Sequence, residues 1–136
     1  MKILDLNEAQ LETLEDRLST FDEQYITCKM NGRIGLGIEE DGQLVAGLDA
    51  CITAFKILYV STVYVEEAYR RKGYGKRLME EMEKRAREMG VNMIRLDTFS
   101  WQGKPFYEAL GYEVVGSYEN PADGYGEYFF IKRLES

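Results

Sequence analysis

One short segment of the chain has the composition of a phosphate-binding loop. Residues Arg70 to Gly75 read Arg-Arg-Lys-Gly-Tyr-Gly, with three cationic side chains and two glycines. Glycine lets the backbone approach a ligand closely, because it has no Cβ. The segment follows a strand-like run, Ile57 to Val65, and precedes a helix-like run, Lys76 to Met89. Because a helix N-terminus presents unpaired N–H groups and a positive dipole end, this order suits a phosphate or pyrophosphate.

Two familiar nucleotide-binding motifs do not fit this loop. A P-loop requires Gly-x-x-x-x-Gly-Lys followed by Ser or Thr. Here the lysine after Gly75 is followed by Arg77, and Arg70 stands where the first glycine is required. A dinucleotide-binding loop requires Gly-x-Gly-x-x-Gly, and counting from Gly73 its last position is Leu78. The pattern that remains is Arg-x-x-Gly-x-Gly after a strand.

This pattern and a later block resemble the GNAT superfamily of N-acetyltransferases. Arg-x-x-Gly-x-Gly after a strand is similar to the superfamily's acetyl-CoA-binding motif. The later block, Leu96 to Tyr112, ends in Phe-Tyr-x-x-Leu-Gly-Tyr at residues 106–112, which resembles a second superfamily signature. The similarity runs from about Glu39 to Leu134, most of the chain. Two positions depart from it: many members have Asn where Ser100 stands, and Ala where Gly103 stands.

The resemblance implies an α/β (α+β) fold. Its central sheet is expected to be mixed and mostly antiparallel, with one parallel strand pair at the acetyl-CoA cleft and helices on the flanks. A length of 136 residues suffices for one core, so residues 1–136 are expected to form a single acetyltransferase domain. The run Ile57 to Val65 is rich in β-forming residues, which favours a central strand covered on both faces. It is expected to pair in parallel with the next strand, Asn92 to Phe99.

A helix is also predicted near the start of the chain. Asn7 and Gln10 have the spacing of a helix cap in which the two side chains bond reciprocally. Apolar residues then recur on one helical face, at Leu11, Leu14, Leu18 and Phe21. We therefore expect this helix to pack against the rest of the domain.

The resemblance implies roles for particular residues. The strand end is implied to bond the pantetheine arm through its backbone and to polarise the thioester carbonyl, while the loop holds the pyrophosphate. The implied acetyl-CoA-binding residues are Val63, Tyr64, Val65, Arg70, Arg71, Lys72, Gly73, Tyr74, Gly75, Lys76 and Ser100. Tyr107 stands where the family often places its general acid. A tyrosine with a pKa near ~10 carries its proton at neutral pH, so it can protonate or hydrogen-bond a departing thiolate, whose thiol titrates near ~8.5.

The group that takes the proton from the amine is not fixed by the sequence. A lysine-like amine has a pKa near ~10.4 and must lose a proton before it attacks. The strand before the loop carries no carboxylate, and Tyr59 stands where some superfamily members have Glu. The alternatives left open are a water relay or a carboxylate from Asp49, Asp97 or Glu66. Three aromatic residues are candidates for the acceptor pocket: Trp101, Tyr118 and Tyr125.

Composition limits the expected partners and location. A net charge of −7 argues against general nucleic-acid binding. No apolar run approaches the ~20 residues of a membrane span, and the segment Met1 to Asp5 lacks the apolar stretch of a signal peptide. A cytoplasmic protein without a membrane partner is therefore expected. The chain has no histidine, which excludes Ser-His and Cys-His nucleophile pairs and any His-ligated metal, so no metal is expected.

The resemblance to the GNAT superfamily implies an acetyl-CoA-dependent N-acetyltransferase that moves the acetyl group directly to a primary amine of a small molecule. Direct transfer from a thioester needs no protein nucleophile. Two alternatives are a non-catalytic, regulatory acetyl-CoA-binding module and a protein or peptide N-acetyltransferase. The acceptor amine is not specified by the sequence. A homodimer through the aromatic-rich last two strands is expected only by analogy with similar proteins.

Overall fold

A six-stranded sheet dominates the computed structural model, which describes residues 1–134. The elements in chain order are α1 (Glu8–Asp22), β1 (Arg33–Glu40), β2 (Gln43–Ala54), β3 (Ile57–Val65), a 3-10 turn (Glu67–Tyr69), α2 (Tyr74–Met89), β4 (Met93–Phe99), α3 (Lys104–Ala109), β5 (Glu113–Asn120) and β6 (Tyr125–Arg133). The strands lie in the order β1-β2-β3-β4-β6-β5. Within residues 1–134, β3 and β4 pair in parallel and the other four pairings are antiparallel. The predicted mixed fold is confirmed.

The parallel pair separates soon after it starts. Residues 57–59 of β3 pair with residues 93–95 of β4, and the rest of β3 makes no further pairing with β4. On its other edge β3 has a bulge at Ser61, because Asp49 pairs with Thr62 while Ala50 pairs with Val60. An extra residue in one strand bends that strand and increases its twist. The two parallel strands therefore diverge, and a cleft opens between them.

The helix α2 follows the loop and supports the sheet from one side. It begins at Tyr74, two residues earlier than predicted, because the left-handed Gly73 (φ +81°) turns the chain immediately before it. Gly90, with φ +94°, ends the helix as predicted. The residues that α2 buries are Leu78, Met79, Met82, Glu83 and Ala86. The four apolar ones form one core with apolar residues of the sheet, such as Leu58, Ile94 and Phe130.

The two expectations about packing on the other side of the sheet are wrong. The helix α1 forms with the predicted reciprocal cap between Asn7 and Gln10, but it buries none of its residues. Because α1 does not cover the sheet, β3 is covered on one face only, and Ser61, Thr62 and Tyr64 of that strand are exposed. Helix propensity and capping are local properties, whereas the docking of the helix depends on surfaces that the apolar pattern does not identify.

The described residues provide three further observations. No helix within residues 1–134 combines the length and apolar character needed to cross a bilayer. The same residues hold no group of three or more His, Cys, Asp or Glu side chains placed to bind a metal ion. The two cysteines, Cys28 and Cys51, are free thiols.

Candidate active site

A cleft of about 910 Å³ lies where β3 and β4 diverge. Its walls are the end of β3, the loop with the first turn of α2, and the segment between Asp97 and Tyr107. The implied acetyl-CoA-binding residues on the cleft wall are Val63, Tyr64, Val65, Arg70, Arg71, Gly73, Tyr74, Gly75 and Lys76. Tyr107 lies on the same wall. Residues distant in the sequence thus meet around one space large enough for a cosubstrate.

The strand wall of the cleft offers backbone groups. Residues 60–65 pair with β2 along one edge, while the edge toward β4 has no strand partner. An extended ligand can bond such an edge in the manner of an added strand. Arg70 ties the loop to this strand, because its Nε donates to the backbone oxygen of Val65 at 2.9 Å. Its guanidinium also lies 5.6 Å from the centre of the Tyr64 ring. The side chain of Arg70 is therefore already engaged within the protein.

The two loop glycines have different roles. Gly73 is left-handed, as is Arg71 (φ +64°) two residues before it, and this conformation shapes the turn into α2. A Cβ at Gly73 would meet no atom within 4 Å, so the constraint there is conformational. A Cβ at Gly75 would instead lie 3.1 Å from the ring of Phe106. Gly75 therefore allows the first turn of α2 to pack closely against α3.

Two of the implied binding residues are not brought to the cleft wall. The ammonium of Lys72 lies 5.1 Å from the centre of the Tyr69 ring. The hydroxyl of Ser100 accepts a hydrogen bond from the backbone N–H of Gly126 at 3.0 Å, and the backbone N–H of Ser100 donates to the Gly126 oxygen. Ser100 thus fixes the end of β4 to β6. The resemblance had implied a contact of this position with the pantetheine arm, through the Asn that many family members have there.

Tyr107 combines a packed ring with a place on the cleft wall. Its ring lies 5.0 Å from that of Phe106, 5.8 Å from that of Phe130 and 6.0 Å from that of Tyr112, measured between ring centres. Burial raises the pKa of the Tyr107 hydroxyl, and the negative charge of Asp97 raises it further. The hydroxyl therefore keeps its proton at neutral pH and can donate it.

Of the three carboxylates proposed as a base, the structure brings one to the cleft. Asp97 lies on the wall, and its Oδ2 accepts a hydrogen bond from the Tyr59 hydroxyl at 3.0 Å. Asp49 is held instead by Arg33 through two bonds of 2.9 and 2.8 Å, which lower the pKa of that carboxyl. Glu66 precedes the 3-10 turn and is not part of the wall.

Sequence reasoning missed residues that shape the turn after β4. The side-chain oxygen of Gln102 accepts a hydrogen bond from the backbone N–H of Phe99 at 2.7 Å and closes this turn. Gly103 lies on the wall next to Tyr107, and a Cβ there would come within 3.2 Å of the Tyr107 ring. The departure from Ala at this position was visible in the sequence, but its contact with Tyr107 was not. The glycine leaves room for the tyrosine ring.

The aromatic residues predicted for the acceptor pocket divide into two groups. Trp101 lies on the cleft wall. Tyr125 is 6.0 Å from Trp101 between ring centres, and Tyr118 is 6.2 Å from Tyr125, but neither lines the cleft. The three rings therefore form a series that extends from the cleft onto the surface of the sheet.

The sequence model of the acetyltransferase (GNAT) family matches residues 3–112 of the chain. The chain belongs to the GNAT acetyltransferase family. This match covers the loop, the cleft strands and the Tyr107 helix together. It confirms the resemblance drawn from the motifs, and with it the class of enzyme, an acetyl-CoA-dependent N-acetyltransferase.

Individual proteins support the assignment to the GNAT family. Blasticidin-S acetyltransferase of Streptomyces morookaense is 30% identical over 96 residues, which cover 70% of each chain. The crystal structure of an acetyltransferase from Bacillus cereus is 28% identical, with a TM-score of 0.93 over 98% of each chain. An aminoglycoside 6'-N-acetyltransferase complexed with coenzyme A is 20% identical, with a TM-score of 0.67 over 100% of this chain and 98% of that one. At that identity the last comparison shows the fold alone.

Proposed function

We propose that this GNAT acetyltransferase transfers the acetyl group of acetyl-CoA directly to a primary amine of a small molecule. The observation that carries the proposal is the cleft itself. It brings the basic glycine loop and the open edge of β3 together with Tyr107 and Asp97. The first two features suit a pyrophosphate and an extended amide-containing arm, and the last two suit proton transfer.

We assign the binding of the cosubstrate to the loop and the strand. The backbone N–H groups around Gly73, at the start of α2, bind the pyrophosphate together with the charges of Arg71 and Lys76. The open edge of residues 60–65 bonds the pantetheine arm. When bound there, acetyl-CoA supplies an activated acyl group whose carbonyl carbon accepts the amine. A backbone N–H in residues 63–65 donates to the thioester oxygen as negative charge develops on it.

The proton transfers are assigned to the third wall of the cleft. Asp97 accepts the proton of the incoming ammonium, directly or through a water molecule, or holds the amine in place. Tyr107, which its raised pKa keeps protonated, donates a proton to the departing thiolate and regains one from the nitrogen, which loses its second proton as the amide forms. Tyr59 orients Asp97 by donating to one oxygen, which leaves the other oxygen for the substrate.

A small, cationic acceptor fits the chain best. The blasticidin-S acetyltransferase that this chain resembles is named for a small molecule. The protein has a net charge of −7, and Asp97 adds a carboxylate on the cleft wall. Both features favour a cationic amine over an anionic or neutral one.

The first test is calorimetric titration with acetyl-CoA, followed by assays of CoA release with a panel of small amines and peptide N-termini. Micromolar acetyl-CoA binding and turnover with a small amine would support the proposal. Binding without turnover on any amine would favour the regulatory module. A far higher kcat/KM for a peptide would move the assignment to peptide acetylation.

The variant Gly73→Val tests the loop within the same titration. Valine is β-branched and resists the left-handed conformation, so forcing it distorts the turn at a cost of roughly 1–3 kcal/mol. If the free energy of acetyl-CoA binding becomes less favourable by this amount, the Kd rises about 5- to 150-fold, since every 1.4 kcal/mol corresponds to a factor of ten in Kd. Gly90→Val is the matched control, because Gly90 is also left-handed but ends the same helix away from the cleft. If the two variants bound acetyl-CoA with equal affinity, the loop would not be part of the binding site.

The variant Asp97→Asn tests the assignment of the carboxylate. Asparagine keeps the shape but cannot take a proton, so kcat/KM for the amine is expected to fall roughly 100-fold or more. The Kd for acetyl-CoA should stay unchanged. Asp49→Asn is the control, since Asp49 is paired with Arg33 away from the cleft. Equal activities of the two variants would leave proton removal to a water relay without Asp97.

A further inference from the structure

The helix α1 presents an apolar stripe to solvent. We call this stripe the seam, and its residues are Leu11, Leu14, Leu18 and Phe21, whose exposed fractions are 43%, 49%, 61% and 55%. Their spacing of three, four and three residues places them on one side of the helix. In a water-soluble helix, a stripe of this kind normally faces a packing partner.

Exposed apolar surface is concentrated in this part of the chain. Of the 16 large hydrophobic residues that are most exposed within residues 1–134, nine lie in the first 25 positions. Single exposed hydrophobic side chains are ordinary, but a contiguous group marks an interaction surface. The start of the chain is therefore built to be covered.

One side of the sheet is uncovered and carries apolar and aromatic side chains, as the seam does. We call the side opposite α2 the open face. The strand registers place Cys51, Tyr59, Arg95 and Ile131 in one row across it, with Phe129 in the next row. No helix in residues 1–134 covers these side chains, although the opposite side of the sheet is packed against α2. A sheet with an apolar or aromatic surface requires a second layer.

We propose that two copies of this chain form a dimer in which each α1 docks its seam on the open face of the other copy. The dimensions agree. A helix of 15 residues is about 22 Å long, and a strand of nine residues such as β6 spans roughly 30 Å. The seam thus lies on the face along its whole length.

The position of α1 argues against its folding back onto its own sheet. The first 25 residues are about a fifth of the chain. The superposition on the Bacillus cereus acetyltransferase covers 98% of both chains with a TM-score of 0.93, which leaves no room for a differently placed α1. Two proteins with only 28% identity thus hold this helix in the same projecting position. A shared projecting position indicates a partner outside the chain.

The charges of α1 favour docking on the open face over pairing of α1 with the α1 of the other copy. It carries five acidic residues and one basic residue, a net charge of −4; these residues are Glu8, Glu12, Glu15, Asp16, Asp22 and Arg17. Two such helices paired with each other would repel. The open face instead carries charges of both signs: Arg95 and Arg133 are exposed and form no salt bridge within residues 1–134, while Asp97 and Glu113 stand opposite Phe129 and Ile131. The face therefore repels an acidic helix less than a second α1 does.

The test measures mass in solution by size-exclusion chromatography with light scattering at micromolar concentrations. The wild-type protein should show about twice its 15.7 kDa chain mass. The double variant Leu14→Glu/Leu18→Glu charges the seam and should be monomeric. The control Thr13→Glu/Thr20→Glu adds the same two charges away from the seam and should stay dimeric. The face variants Phe129→Glu and Arg133→Glu should also weaken the dimer, each by at least tenfold in dissociation constant.

The outcomes separate the arrangements. A monomeric wild-type protein would overturn the proposal. A monomeric seam variant beside fully dimeric face variants would also overturn it, since that result indicates α1 paired with α1. If the seam variant and the face variants both lose the dimer while the control variant stays dimeric, the result supports docking of each α1 on the open face of the other copy. Far-UV circular dichroism and acetyl-CoA titration check folding, because none of the substituted residues lies on the cleft wall.

Discussion

Replacing Tyr107 with phenylalanine is expected to lower kcat roughly 100- to 10,000-fold, the range measured for loss of a general acid or base. Phenylalanine preserves the ring contacts with Phe106, Tyr112 and Phe130, so the variant removes the hydroxyl and little else. The Kd for acetyl-CoA should change little, since we assign its binding to the loop and β3 on the other walls of the cleft. Steady-state kinetics with the best amine of the panel, together with calorimetry, measure both quantities.

The matched control for Tyr107→Phe is Tyr112→Phe. The Tyr112 hydroxyl is buried and donates to Glu83 at 3.1 Å, away from the cleft. Its removal should lower stability without lowering kcat. A Tyr107→Phe enzyme with kcat within a few-fold of wild type would assign the protonation of the thiolate to water or another group, and would leave Tyr107 a packing role.

The pH profile gives an independent check on Tyr107. The raised pKa of this tyrosine means that its proton stays in place beyond pH ~10. The wild-type kcat/KM should therefore rise as the amine loses its proton and should not fall from ionisation of Tyr107 below pH ~10. The assigned direction of the pKa shift would be contradicted if the wild-type kcat/KM fell at a pH well below that value and Tyr107→Phe showed no such fall.

The parts of the site that the sequence could predict are those encoded locally. The basic glycine loop, the strand before it and the helix after it are neighbours along the chain, so their order alone indicates a phosphate site. The signature around Tyr107 is also contiguous. Even so, Gly75 illustrates a limit, because its closest constraint is the ring of Phe106, some thirty positions later in the chain.

The parts that could not be predicted depend on contacts between distant segments. Ser100 is turned away from the cleft by its bonds to Gly126, which belongs to another strand. Asp97 and Asp49 look alike in sequence, yet only Asp49 meets an arginine across a strand pair. The α1 seam has the pattern of a packed helix, but a pattern does not say whether the covering surface belongs to the same chain. Tertiary register and assembly decide these cases.

Replacing Lys132 with methionine is expected to destabilise the fold by about 3–5 kcal/mol, the cost of breaking a buried ion pair by removing one partner. The Lys132 ammonium donates to Glu83 at 2.7 Å and to the backbone oxygen of Leu110 at 2.8 Å. Glu83 is only 6% exposed, although a glutamate on a helix normally faces water. Without the lysine its carboxylate keeps only the Tyr112 hydroxyl, and the Leu110 oxygen loses a donor. Urea denaturation measures the loss.

The reason to expect so large an effect is that this network joins the two helices beside the cleft. Glu83 belongs to α2, and Leu110 caps the end of α3, which carries Tyr107. The exposed pair Arg85–Glu81 is the control, and Arg85→Met should cost only about 0.3–0.5 kcal/mol. The double variant Lys132→Met/Glu83→Met should recover much of the lost stability, because it removes the unpaired buried charge. If Lys132→Met cost no more than Arg85→Met, the network would not hold α2 and α3 together, and the cleft geometry would depend on apolar packing alone.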